Sequence, residues 1–455
     1  MLISSWLASV YQRFTARKVQ RSRRTRSQVT SAVCRVRQLE PRVLLSASPV
    51  GAETLVNTTT TGNQSTDGWG GATAMDADGD FVVTWQSSQF DSNGYDVYAQ
   101  RYNAAGVAQG AEFLVNTSMR MDDQMHSTVA MDAAGDFVIT WSSRGEDGSG
   151  YGVYAQRYNA AGVAQGGQFR VNSTTANDQR ISSVAMDASG DIVVTWTSRD
   201  QDGSGYGIYA QRYDAAGLAQ GGEFRVNTTT ESDQNYSSVA MDAVGNFVVT
   251  WQSFGQDGSE AGVYAQRYDA AGIAQGSEFQ VNSYTTSWQR FPKVAMDTNG
   301  AFVVTWSSLD QDGNAFGVYA QRYDAAGTVQ GSEFLVNTTT TGHQDFPTVA
   351  MDADGDFIVT WLSRRVGIDA SAYGIFAQQY NAAGVAVGGE FQVQTTTMDD
   401  MRIPTVAMDA DGDFVINWTT WNQDGSGAGV YQQRYDEPTD TAGPIVGRVF
   451  DGSRQ

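Results

Sequence analysis

The chain has 455 residues and a formal charge of −21, divided between a basic start and an acidic remainder: residues 1–50 carry +9 and the rest −30. An acidic body repels phosphate backbones and anionic lipid surfaces, which excludes nucleic acid as its partner. The single cysteine, Cys34, lies in the basic segment, so the body has no disulfide or thiolate metal site, and only His126 and His343 offer imidazole. No apolar run reaches the roughly 18 residues of a membrane span.

The first element in chain order is the basic leader. Its apolar start is short, and the Arg-rich stretch follows the apolar part, the reverse of a secretory signal. Within it, "LEPRVLLSA" (39–47) resembles the LEPR-XLL motif found near the N-terminus of large repeat-bearing proteins of planctomycetes and some other bacteria. The resemblance implies export or surface sorting, with residues 1–50 disordered or processed.

The next stretch, "ETLVN" (53–57), has the pattern of a β-strand with no partner before it. A unit of about 55 residues then recurs seven times, marked by Trp85, Trp141, Trp196, Trp251, Trp306, Trp361 and Trp418. Each unit holds four short runs rich in β-branched and aromatic residues. In the second unit they begin with "VAMD" (129–132), "DFVITW" (136–141) and "GVYAQRY" (152–158), and the fourth type reads "EFRVN" (223–227) in the third. Four strands repeated seven times predict an all-β, seven-bladed β-propeller over 51–437. The last unit stops after "VYQQRY" (430–435), so the unpartnered N-terminal strand completes the last blade. Residues 438–455 read as a linker and the start of a possible further domain.

The turns come next. "MDADGD" (75–80) joins the first two strands of a blade, and its Asp and Gly suit a tight hairpin. The same loop becomes "DAAGD" at Asp132, "DAVGN" at Asp242 and "DTNGA" at Asp297. Only the first Asp and the Gly recur seven times, and a calcium cage needs six to eight oxygens. No cofactor is expected; any calcium binding is weak and confined to the all-acid turns starting at Asp76, Asp352 and Asp409. The seven methionines of "AMD" and the seven tryptophans read as packing between sheets. The arginine of "YAQRY" recurs in six blades, with Gln379 replacing it in the sixth, and is expected to pair with the Asp of "AMD". "NTT" and "NST" triplets fit glycosylation by sequence but read as polar crossing loops.

The Asp–Gly–Trp spacing differs from the Asp-box of sialidases, which has a serine and a shorter Asp–Trp interval. Units such as "QDGSGYG" (201–207) and "GGEFRVNTTT" (221–230) are more similar to those of large acidic surface and hemolysin-type calcium-binding proteins of bacteria. That resemblance covers 53–435 and implies an extracellular location.

Near-identical blades favour a secreted or surface interaction module for polysaccharide or another surface protein, and predict a non-enzyme, since catalysis needs unlike residues converging on one point. The alternatives are a glycan-acting enzyme of propeller fold and a structural spacer in a larger adhesin. Blades differ most in the loops of blades five to seven. There Trp288, Arg290, Lys293, His343, Arg364, Arg365 and Trp421 break the repeat and form the candidate ligand patch.

Overall fold

The computed structural model describes residues 47–66, 71–88, 94–117, 123–364, 373–395 and 401–437. Residues 1–46 of the leader, Arg365 and residues 438–455 lie outside them, while Ser48–Val50, expected to belong to the leader, are part of a strand. All regular structure among the described residues is β, arranged as seven antiparallel sheets. Blade two is representative: Gln124–Met131, Phe137–Arg144, Tyr151–Tyr158 and Phe169–Arg170 lie side by side in chain order. In blade one the innermost strand is in two pieces, Gln64–Ser65 and Thr73–Met75. The protein is a seven-bladed β-propeller.

Ser48–Leu55 pairs antiparallel with Ala428–Asp436, from Ser48 opposite Asp436 to Leu55 opposite Tyr431. The N-terminal strand thus supplies the outer strand of blade seven, as the phase offset predicts. The outer strands of blades one to five pair over only two residues, which keeps the exposed edges short.

Each second strand is buried on both sides, because a blade is sandwiched between two others. Phe137, Ile139 and Trp141 of blade two pack with Val82, Val97 and Val115 of blade one, while Val138 packs with Val184 and Trp196 of blade three. The seven repeated tryptophans are all at most 1% exposed, which accounts for the constancy of that position. The seven methionines, half-buried, pack against these inter-blade clusters as expected, and Met75, Met131, Met351 and Met408 also line one mouth of the central channel beside Asp76, Asp132, Asp352 and Asp409.

The turn between the first two strands is held by its first carboxylate. Asp132 Oδ1 accepts the N–H groups of Ala134 (2.9 Å) and Asp136 (3.0 Å), while Gly135 adopts φ 87°. Asp76, Asp352 and Asp409 make the same pair of bonds. Among the described residues no group of three or more His, Cys, Asp or Glu side chains is arranged to hold a metal ion.

The expected Arg–Asp pairing is not what the structure has. Arg212 of blade three reaches over blade four and donates to the carbonyls of Ala271 (2.5 Å) and Ala270 (2.7 Å). A Cβ on Gly272 would lie 2.9 Å from the guanidinium arm, so the glycine of "DAAG" makes room for the arginine next door. Arg101, Arg157, Arg267 and Arg322 repeat this stitch. The carboxylate of "AMD" is already committed to its own turn, and the exposed carbonyls of the adjacent blade satisfy the planar fork of donors.

The crossing loops are equally determined. Asn172, 2% exposed, accepts from the Val153 N–H (2.7 Å) and donates to the Thr174 carbonyl (2.6 Å), so its amide is closed to glycosylation. Glu223 of the next blade accepts from the Ser173 N–H and the Thr174 hydroxyl. Burial alone would raise its carboxyl, but these hydrogen bonds outweigh it and hold the group below the ordinary range. The crossing loops share one face with the second-to-third loops: the Tyr151 N–H donates to Asp178 and the Asn177 N–H to Ser149.

Candidate functional site

The innermost strands of blades two to seven each slip register once, for example between Met125 and Thr128. In five consecutive blades the bulged residue has a left-handed backbone: His126 (58°), Ile181 (56°), Tyr236 (57°), Phe291 (55°) and Phe346 (54°). An L-residue there costs about 1–2 kcal/mol, and a β-branched isoleucine is a marked outlier. Side chains of the preceding blade hold the conformation: the Phe291 N–H donates to Gln252 (3.2 Å) and the Phe346 N–H to Ser307 (3.2 Å). These residues form a girdle on the crossing-loop side of the channel wall.

In blades four to six the girdle is aromatic and continuous. Tyr236 meets Phe291 edge-on at 5.1 Å, and Phe291 stacks on Phe346 at 4.7 Å with a 16° interplanar angle. All three rings are half-buried. Arg290 lies 3.7 Å over Phe316 and 4.8 Å over Phe291, and forms an ion pair with Asp345 of blade six. The pair is largely withdrawn from water, with the side chains 24% and 8% exposed. His343 is exposed, 5.9 Å from Phe316 and in register with Arg364, whose guanidinium lies 5.7 Å over Tyr373. Trp288 meets Phe254 of blade four edge-on at 5.4 Å.

The structure therefore gathers Trp288, Arg290, His343 and Arg364 on adjoining parts of blades four to six. Trp421 ends the second strand of blade seven, half-buried, at the position Arg364 holds in blade six. Lys293 stands apart from the loops. The first strand of blade five begins at Gln289, so Lys293 sits inside it and lines the channel. Burial lowers its ammonium to about 8. Sequence reasoning overlooked Tyr236, Phe254, Phe316, Phe346 and Asp345. Only Asp345 stood out in the repeat, as the one acid at a position that is Met125, Arg180, Asn235, Arg290 and Arg402 in other blades; the aromatics fall at positions where other blades also carry aromatics.

At the opposite mouth, burial raises Asp76 and Asp132, and lifts Asp352 and Asp409 to about 6. The channel is thus acidic at one end and aromatic at the other.

No protein-family model matches the chain, and no curated protein matches it. Solved structures do. A protein of unknown function from Dyadobacter fermentans is 10% identical over 70% of this chain and 95% of its own, with a TM-score of 0.49. The NanB sialidase of Streptococcus pneumoniae is 7% identical over 86% of this chain and 70% of its own, TM-score 0.44. The α-L-arabinofuranosidase Arb93A of Fusarium graminearum is 11% identical over 68% and 92%, TM-score 0.44. These likenesses concern the fold alone. The expectation of a non-enzyme is corrected: the matching structures include a sialidase and an arabinofuranosidase, and fold alone decides neither for nor against catalysis.

Proposed function

We propose that this propeller is a secreted or surface-exposed recognition module that binds polysaccharide through the aromatic girdle of blades four to six. The observation that supports this reading is the run Tyr236–Phe291–Phe346, flanked by the Arg290–Asp345 pair, in a ring whose other blades are nearly alike. Half-exposed rings stack on the apolar face of a sugar, and an adjoining arginine, carboxylate and imidazole hydrogen-bond its hydroxyls. The LEPR-XLL-like leader and the acidic body support the extracellular location.

The test is a glycan array followed by calorimetric titration of the best glycan, comparing the wild type with the double variant Tyr236→Ala, His343→Ala. Affinity should fall at least about tenfold, the loss of one anchor contact of about 1.4 kcal/mol. An unchanged affinity in a folded double variant sinks the proposal, as does binding to a surface protein with no glycan bound. The same samples are assayed for released reducing ends. Release would assign the girdle to a glycan-acting enzyme, the second reading.

A further inference from the structure

The channel narrows to a cavity of about 160 Å³ walled by the innermost strands of all seven blades. The position that faces it is Thr128 in blade two, Ser183 in blade three, Ser238 in blade four, Thr348 in blade six and Thr405 in blade seven. In blade five it is Lys293, the one charged side chain among the described residues of this wall. Lysine is among the costliest residues to withdraw from water, and a hydroxyl would complete the ring at no such cost.

The neighbouring hydroxyls are oriented to help a cation hold an anion. Ser183 Oγ accepts the N–H of Val239 (3.2 Å) and Ser238 Oγ that of Val294 (3.3 Å). Each oxygen is thereby used as an acceptor, and its own proton remains to be donated. An ammonium has three N–H donors, enough to serve a ligand alongside protein acceptors. A volume of this size holds about five waters, room for a carboxylate or a small oxyanion with part of its hydration shell.

The geometry points to an anion-binding site at the waist of the channel, in which Lys293, Ser238 and Ser183 hold a carboxylate or sulfate group. The carboxylates at the Met–Asp mouth repel such a ligand, so it arrives from the girdle side. The site takes a free small anion or the acidic group of a bound polymer by the same chemistry.

Thermal unfolding of the full chain distinguishes these at constant ionic strength. The first arm titrates acetate and sulfate, and does not depend on the polysaccharide reading. Wild type should show a saturable rise in melting temperature, reaching a hundredfold shift of the unfolding equilibrium at about 100 times the dissociation constant. The variant Lys293→Ser places there the serine that blades three and four carry, so it folds, and it should lose the saturable rise. The rise should also fade between pH 7.5 and 9.5 as the ammonium deprotonates, a window above the titration of Asp352, Asp409 and Glu437. An equal rise in wild type and Lys293→Ser, or none in wild type, overturns the site. The second arm compares polygalacturonate with a neutral galactan. Preference for the acidic polymer that vanishes in Lys293→Ser assigns the anion to a polymer. A response to acetate and sulfate without that preference assigns it to a free anion.

Discussion

Between blades three and four, Arg212 crosses the junction and binds two carbonyls of the neighbouring turn. Between blades six and seven, Gln379 stands in its place, and its carbonyl oxygen accepts the N–H of Ala47, 2.8 Å away. The difference follows from how the ring is closed. Blade seven takes its outer strand from the other end of the chain, and its sequence reads "DEPT" (436–439) where blade three has the "DAAG" (214–217) that receives an arginine. Its corresponding position is Glu437, whose N–H binds Asp413 as the Ala160 N–H binds Asp136 in blade two. The seam thus loses a cation and gains an acid. Burial, and then Asp356, Asp352, Asp413 and Asp409, push the Glu437 carboxyl up to about 7. The junction of blades six and seven replaces the arginine stitch by the Gln379–Ala47 bond, while the ring is closed by backbone pairing inside blade seven.

The sharpest way to break this comparison is to remove the closing strand. Deleting residues 47–57 strips the pairing from Ala428–Asp436 and the bonds of Val56 and Asn57 to Val430. We expect a loss of more than about 5 kcal/mol, read as disappearance of the cooperative calorimetric transition. A truncated chain that melts like wild type would show the seam to be fastened elsewhere.

Two reciprocal exchanges come next. Gln379→Arg removes the acceptor of a buried N–H and should cost about 1–3 kcal/mol. Arg212→Gln removes one stitch at a partly exposed site and should cost about 1–2 kcal/mol. Urea titration measures both. If Gln379→Arg stabilises the protein, the seam was short of a cation rather than built without one.

The smallest effect is electrostatic. A carboxyl whose folded pKa is raised favours the fold while protonated, so its contribution is full below about pH 4.5 and is lost as pH rises through about 7. Glu437→Gln should therefore stabilise at pH 8 by about 1 kcal/mol, once solvent screening is allowed for, and make no difference at pH 4.5. Comparing variant with wild type at each pH removes the opposing contribution of His126, whose buried imidazole is lowered to about 4. An advantage that is the same at pH 4.5 and pH 8 would mean that packing, not charge, is responsible.

The ring itself was readable because a tryptophan every 55 residues and a stray strand at 53–57 have one economical explanation. The Asp–Gly turn was readable for the same reason, since seven copies reveal which of its acids are dispensable. The arginine's partner was not. Charge suggested an aspartate, whereas the actual acceptors are alanine carbonyls, which leave no trace in side-chain chemistry. The bulges were hidden as well: nothing in the residue types of Ile181 or Phe291 announces a left-handed backbone. Variability around Lys293 looked like a loop because the strand begins earlier than the constant "VAM" suggests. Of the candidate patch, the grouping of Trp288, Arg290, His343 and Arg364 could be anticipated from adjacent blades, but not the aromatic floor beneath them.

The arginine stitch has a direction. Blades one to five each give a guanidinium to the following blade, so donor and acceptor never lie on the same surface patch. In the terms used for assemblies, the contact is heterologous, and such contacts either close into a ring or propagate. Within one chain the sevenfold rotation closes. A molecule whose closing strand has come away offers an unpaired edge on blade seven and, in its own released strand, the segment that fits another molecule's edge. Repeated head to tail, that exchange has no natural end, so the fault an opened ring invites is a filament.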